Sequence, residues 1–306
     1  MAIPPLHQHP TAARRRCTGE SHQALQTLPP ADQAPEFIPA ASSTVQARFE
    51  SDIALRAASI GGISPHPLGI VALHPTPDRL TLRLLNEPYV ISHWAQTLLP
   101  TTDPDTSPPV DAVSGVAGLR YRLGANTVHL HRPGTPARVD LTGFNPRWWQ
   151  RVARSLTELH LDTAAFTRPD WTDAEHAIHD HVAGRPHDPR IGSALLRRIR
   201  ATAGPGRANG TDLWTTSLGG IQWTLETTDG PLCTDILPLL SQPPTGPGWQ
   251  LTAHQCRCPH GGDFSCTAYL DAGAGQTVYY TNLHWGRTEP RHQFAELNRT
   301  AFRFLP

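Results

Sequence analysis

Residues 249–283 read WQLTAHQCRCPHGGDFSCTAYLDAGAGQTVYYTNL, and this stretch decides our prediction of the fold. It contains three runs rich in apolar and β-branched residues, at 249–258, 264–270 and 278–283. The runs are separated by PHGGD and by a GAG tripeptide, which have the composition of turns. The stretch therefore predicts three consecutive antiparallel strands.

The elements predicted around these strands occur twice in the same order. Each half begins with a helix, which is followed by a hairpin, a second helix, three strands and a last helix. The first set is predicted at 44–60, 69–73, 80–85, 88–99, 118–123, 127–131, 137–141 and from 146 onward. The second set is predicted at 191–200, 213–218, 221–227, 231–240, the three runs above and 290–304.

Short sequence matches support this internal repeat. Leu55-Arg56 recurs as Leu196-Arg197 and Pro146-Arg147 recurs as Pro290-Arg291, at offsets of 141 and 144 residues. We therefore predict an α+β fold of two tandem, duplicated α-ββ-α-βββ-α units with antiparallel sheets in a pseudo-twofold arrangement. Two unrelated α+β domains are the alternative.

The repeat also suggests how the chain is divided. Residues 1–42 are rich in Pro, Ala and Gln, contain a run of three arginines, and predict a disordered tail. Residues 43–158 and 189–306 are predicted to be the two halves. Residues 159–188 between them predict a linker with a short helix rich in His and Asp.

The composition excludes several kinds of chemistry. The chain has 306 residues and a formal net charge of zero, and none of its 26 basic side chains is a lysine. Schiff-base enzymes, P-loop nucleotidases and protein kinases need a lysine that arginine cannot replace. A high-GC bacterial genome explains the bias, and selection against lysine modification is the alternative. Since no signal sequence or membrane-spanning run is seen, we expect a cytoplasmic protein without a membrane partner.

The densest cluster of metal-ligand residue types lies in the quoted stretch. Folding the chain about the PHGGD turn brings Cys256 and Cys258 toward Cys266, with His260 or His254 nearby. Three thiolates and one imidazole form a tetrahedral donor set that zinc accepts, so zinc is the candidate cofactor. Two alternatives stay open, namely packing of the cysteines in the core and a disulfide between Cys256 and Cys266.

A second cluster of ligand-type residues lies between the halves. His176, His179 and Asp180 follow one another at helical spacing in the predicted linker helix. Imidazole and carboxylate groups can hold a divalent metal that activates water for hydrolysis. A solvated polar helix face is the simpler interpretation of the same pattern.

Two groups of arginines are candidates for binding phosphate or nucleic acid. Arg147, Arg151 and Arg154 form a stripe on a predicted helix beside a Trp pair, and Arg197 and Arg198 lie in the first helix of the second half. Arginine next to exposed aromatic rings can bind phosphates and stack on bases. A solvated helix face over a core anchored by tryptophan is the alternative.

These observations favour a non-enzymatic binding or adaptor protein whose partner is a protein or a nucleic acid. The reasons are the internal repeat and the scarcity of catalytic motifs, and a structural zinc in the second half would fit this function. The alternative is a metal-dependent hydrolase that uses His176, His179 and Asp180.

Overall fold

The computed structural model describes residues 10–28, 37–58, 64–102, 113–158, 164–183, 187–204, 210–216, 221–256 and 264–284. The last predicted helix, at 290–304, lies outside these ranges. Within them, helices accompany two five-stranded sheets, in agreement with the α+β prediction. No helix of the described ranges combines the length and the apolar character needed to cross a membrane.

The N-terminal segment differs from the predicted disordered tail. Pro10–Thr18 forms helix α1 and His22–Gln26 forms helix α2. Ala13 and Cys17, on α1, are fully buried and belong to the hydrophobic core. Composition concealed this helix, because small apolar side chains such as these produce only a weak hydrophobic periodicity.

The first half is built on a five-stranded sheet covered by helices. Its second strand alternates buried and more exposed residues along Arg79–Leu84, as expected for a strand with one face in the core. The elements are α3 (Thr44–Ala57), β1 (Ile70–Thr76), β2 (Arg79–Leu84), α4 (Pro88–Leu98), β3 (Thr101–Thr102), β4 (Val113–Ser114), β5 (Arg120–Leu123), β6 (Thr127–His131), β7 (Arg138–Thr142) and α5 (Pro146–Glu158).

The segment between the halves forms two helices, α6 (Ala164–Thr167) and α7 (Asp173–Ala183). Glu175 of α7 is fully buried and pairs with Arg120 of β5, with Nη1–Oε1 2.9 Å and Nη2–Oε2 3.0 Å. The predicted linker helix is therefore fixed to the first sheet.

The second half contains the other five-stranded sheet. Its elements are α8 (Pro189–Leu196), β8 (Gly210–Thr216), β9 (Ile221–Thr228), α9 (Cys233–Ser241), β10 (Gln250–Cys256), β11 (Phe264–Gly273) and β12 (Gln276–His284). A short 3₁₀ turn at Ile199–Thr202 follows α8, where the sequence predicted one longer helix.

The two sheets have the same strand order and the same strand directions. The first runs β1-β2-β7-β6-β5 and the second, read from its other edge, runs β8-β9-β12-β11-β10. In each sheet one inner pair is parallel, β2 with β7 and β9 with β12, and the other neighbours are antiparallel.

The parallel pair corrects the prediction of wholly antiparallel sheets. A helix, α4 or α9, follows the second strand of each half and reverses the chain direction before the last three strands begin. The last three strands of each half alternate in direction. The final strand, β7 or β12, therefore runs parallel to the second strand, β2 or β9, with which it pairs.

The first helices of the two halves, α3 and α8, pack against each other. The packing is tight at Gly192, where an added Cβ would lie 2.4 Å from Oγ of Ser51. The buried apolar residues of both halves form one continuous core that includes the fully buried Trp94, Trp149 and Trp223.

Candidate metal centre

The outer strands of the second sheet place two cysteines opposite each other. Cys256 of β10 pairs directly with Cys266 of β11 in antiparallel register. Directly paired residues point to the same face of a sheet, and so do residues two apart in a strand. His254 therefore lies on the same face as both thiols, and its Nε2 is 3.5 Å from Sγ of Cys266.

A third cysteine reaches this face from the helix that packs over it. Cys233 is the first residue of α9, and its Sγ lies 3.0 Å from Sγ of Cys256. The loop before α9 is held by the buried Asn282 of β12, which accepts a hydrogen bond from the amide of Gly230 (3.1 Å) and donates one to the carbonyl of Pro231 (2.7 Å). Asn282 thus positions Cys233 through the backbone.

Cys233, His254, Cys256 and Cys266 together offer three sulfurs and one nitrogen, all within 4.8 Å of one another. In a tetrahedral zinc site with Zn–S bonds of about 2.3 Å, two sulfurs are about 3.8 Å apart. The Cys266–His254 distance is close to such an edge. The Sγ atoms of Cys233 and Cys256 must move apart by about 0.8 Å to accept the ion. Their present separation is about 1 Å longer than a disulfide bond.

Burial of the donors closes the cluster on one side. Cys233 and Cys266 are fully buried, Cys256 is half-buried, and His254 is exposed. An ion held there would have α9 and the sheet on its inner side, with His254 between it and solvent. A site whose tetrahedral positions are all occupied by protein side chains is structural in type, since catalytic zinc keeps one position for water or substrate.

The sequence predicts only part of this cluster. Cys256 and Cys266 are brought together as expected, whereas Cys258 and His260 lie outside the described residues. In the sequence-based prediction, His254 is only an alternative to His260. Cys233 is not among the predicted ligands. It lies near the start of the helix predicted at 231–240, which connects the hairpin of the second half to the last three strands.

The His and Asp residues of α7 have a different arrangement. The rings of His176 and His179 pack against Trp171, with centroid separations of 5.2 and 5.0 Å, and Asp180 is exposed. Within the described ranges, the cysteine cluster alone brings three or more His, Cys, Asp or Glu ligand atoms close together. A metal role for these α7 residues stays a prediction.

The candidate phosphate-binding arginines fall into two groups. Arg147, Arg151 and Arg154 are exposed on α5, on the side opposite the buried Trp149. Their position fits both interpretations of the stripe, a binding surface and a solvated helix face.

Arg197 and Arg198, by contrast, are buried and used inside the protein. Arg197 binds Glu50, while Arg198 donates from Nε to the carbonyl of Thr245 at 2.5 Å. Neither side chain is placed to meet a phosphate, because its guanidinium is engaged within the core.

Comparisons with protein-family models, curated proteins and solved structures give no match to this chain. The function is therefore argued from the geometry of the described residues.

Proposed function

We propose that the protein is a non-enzymatic binding protein with a structural zinc ion held by Cys233, His254, Cys256 and Cys266. The observation that carries the proposal is the convergence of these four donors within 4.8 Å. They come from three separate elements, α9, β10 and β11, so one ion would tie the helix to the outer part of the sheet. The free energy of metal binding at such a site contributes directly to folding.

The outer strand β10 explains why this sheet benefits from a metal. Among the described strands it pairs only with β11, and its first six residues are exposed. Few buried apolar side chains hold such a strand, so a metal bond from His254 and Cys256 replaces stabilisation that the core does not supply here.

We further propose that the two halves arose by duplication and face each other about a pseudo-twofold axis. The shared strand order and directions support this origin, and so does the packing of the corresponding helices α3 and α8. The metal site belongs to the second half alone, because the paired strands β5 and β6 carry no cysteine. Zinc in this proposal is an addition to one copy of the ancestral unit.

The proposed partner is a protein or a nucleic acid. A nucleic-acid partner is supported by the exposed arginine stripe on α5, which lies beside the half-buried Trp148. The stripe consists of Arg147, Arg151 and Arg154. If this stripe binds nucleic acid, affinity should fall steeply with salt and fall further in the Arg147→Ala, Arg151→Ala variant. A protein partner predicts a weak salt response.

Zinc content of the purified full chain tests the central part of the proposal. We expect about one zinc per chain, lost in Cys233→Ser and retained in Cys258→Ser, because the geometry uses Cys233. Cys17→Ser is a second control, since that thiol lies on α1 outside the cluster. A folded wild-type chain without zinc would overturn the proposal, and loss in Cys258→Ser with retention in Cys233→Ser would overturn the assigned ligand set.

A further inference from the structure

A basic cavity lies between the N-terminal segment and the first half, outside the metal cluster. It has a volume of about 800 Å³ and is lined by α1 and α2 residues, by the start of β1 and by the 3₁₀ turn after α8. Five of its lining side chains are basic, and none of the described residues that line it carries a carboxylate. The basic residues are Arg15, Arg16, His22, His66 and Arg200.

Arg16 and Arg200 are partly buried here, and neither forms an ion pair with a described residue. In the described part of the chain, neither has a carboxylate within 4.0 Å. Arg16 donates to the carbonyl of Ala203 at 2.5 Å, and Arg200 donates to the carbonyl of Ile70 at 3.3 Å. Buried charges in proteins are normally paired, so two guanidiniums at one cavity that form no ion pair within the described ranges require an explanation.

The pKa shifts of the two arginines also indicate that their positive charges are unfavourable in this environment. Burial, and then the neighbouring charge of Arg16, lowers the pKa of Arg200 to about 10. Burial also lowers the pKa of Arg16, although Asp235 and Cys17 act in the opposite direction. Burial thus destabilises the positive charge at this cavity, and the neighbouring Asp235 compensates only part of the effect on Arg16.

Some hydrogen-bond donors around the cavity have no acceptor among the described residues. The Nε atom of Arg200 is buried and has no hydrogen-bond partner among the residues that the structure describes. Nη1 of Arg200 lies 3.0 Å from Nδ1 of His66. Because a guanidinium only donates, this Nδ1 must be the acceptor, which leaves the N–H of the neutral ring at Nε2 as a further donor.

We propose that this cavity binds a phosphorylated ligand whose phosphate group lies between Arg16 and Arg200. Guanidinium groups match the oxygen geometry of phosphate and gain from desolvation. The volume suits a small organic molecule, and Leu25 and Val71 in the lining supply apolar surface for its uncharged part. The proposal extends the binding function proposed above to a phosphate group that belongs to a nucleic acid or to a small molecule, and it does not depend on zinc.

Thermal unfolding of the full chain with inorganic phosphate tests this site, with chloride at equal ionic strength as the reference. We expect phosphate to raise the Tm of wild type, because a ligand that binds only the folded state stabilises it. Arg16→Gln and Arg200→Gln should each weaken phosphate binding about tenfold or more. The matched control is Arg122→Gln, Arg138→Gln, which removes two exposed arginines at another basic cavity of the first sheet.

Three results would overturn the proposal: no rise of the wild-type Tm beyond chloride, an unchanged response in the Arg16 and Arg200 variants, or loss of the response only in the control. If a variant does not fold, NMR of wild type decides, because phosphate must shift the His66 ring resonances. A short oligonucleotide that binds far more tightly than phosphate identifies a nucleic-acid backbone as the source of the phosphate, whereas comparable binding indicates a small phosphorylated molecule. Zinc content measured in the same samples separates failure of this site from failure of the metal proposal.

Discussion

The Glu50 side chain joins the two halves of the molecule through a fully buried network. Its carboxylate accepts hydrogen bonds from Nε and Nη2 of Arg197, both at 2.7 Å, and from Oγ of Ser193 at 2.5 Å. Arg197 also donates from Nη1 to the carbonyls of Pro39 (2.6 Å) and Thr76 (3.0 Å). The two charges compensate each other, which is why the core tolerates both.

We expect Glu50→Gln to lower the free energy of unfolding by about 3–5 kcal/mol, since it leaves the Arg197 charge buried without its partner. Chemical denaturation followed by tryptophan fluorescence measures the change. The matched control Glu87→Gln, at an exposed position, should change it by about 0.5 kcal/mol or less. Equal effects of the two substitutions would contradict the structural role given to this pair.

Glu20 links the N-terminal segment to the first sheet and makes its docking dependent on pH. Its carboxylate accepts a hydrogen bond from Nε of Arg14 at 2.7 Å and lies 2.5 Å from Nδ1 of His74. Burial, the largest single effect, raises the pKa of Glu20, but the hydrogen bonds from His74, Arg14 and Thr18 outweigh it and bring the pKa to about 2.

A carboxyl whose pKa is depressed on folding stabilises the protein above its unfolded pKa, and this stabilisation is lost as the pH falls. For Glu20 the loss runs from about pH 4.5 down to about pH 2. Over this window the free energy of unfolding of wild type should fall by on the order of 3 kcal/mol more than that of Glu20→Gln. Denaturation curves at several pH values check this, and parallel pH profiles for the two proteins would contradict it.

Among the elements, α1 provides the clearest test of the N-terminal segment. Ala13 is fully buried in the core and Thr11, on the same helix, is exposed. We expect Ala13→Gln to lower the free energy of unfolding by about 1–3 kcal/mol through overpacking, and Thr11→Gln to leave it nearly unchanged. Urea denaturation of both variants gives the comparison. In a disordered tail both substitutions would be silent.

Most of the sheet elements could be predicted from the sequence, because alternation along a strand is a local signal. Leu80, Leu82 and Leu84 are buried in β2 as their spacing of two indicates. The pairing of Cys256 with Cys266 followed in the same way from the turn between them. Local patterns of this kind depend on the strand itself and its neighbour in sequence.

Contacts between elements distant in sequence could not be predicted in the same way. Cys233 joins the cluster only because α9 packs across the sheet, and Arg197 is buried only because α8 meets α3 at Glu50. A single sequence carries no signal for the angle at which a helix lies on a sheet. For the same reason, the sequence does not distinguish arginines that are exposed to solvent from arginines that are buried in the core.

In the molecule as a whole, the two halves share one continuous core. The cluster of three cysteines and His254 lies in the second half. We therefore expect removal of zinc by a chelator to lower the midpoint of a single cooperative unfolding transition of the entire chain. Calorimetry of the chelated and the zinc-loaded protein measures this. Two separate transitions, with only one sensitive to the chelator, would contradict the coupling of the halves.

X-ray absorption at the zinc edge of the purified full chain reports which atoms bind the ion and at what distance. We expect a four-coordinate ion with three sulfurs at about 2.3 Å and one nitrogen at about 2.0–2.1 Å. We also expect Cys233→Ser to remove the ion or to replace one sulfur. A folded chain without zinc, or a zinc shell that contains only nitrogen and oxygen, would contradict the proposed zinc site.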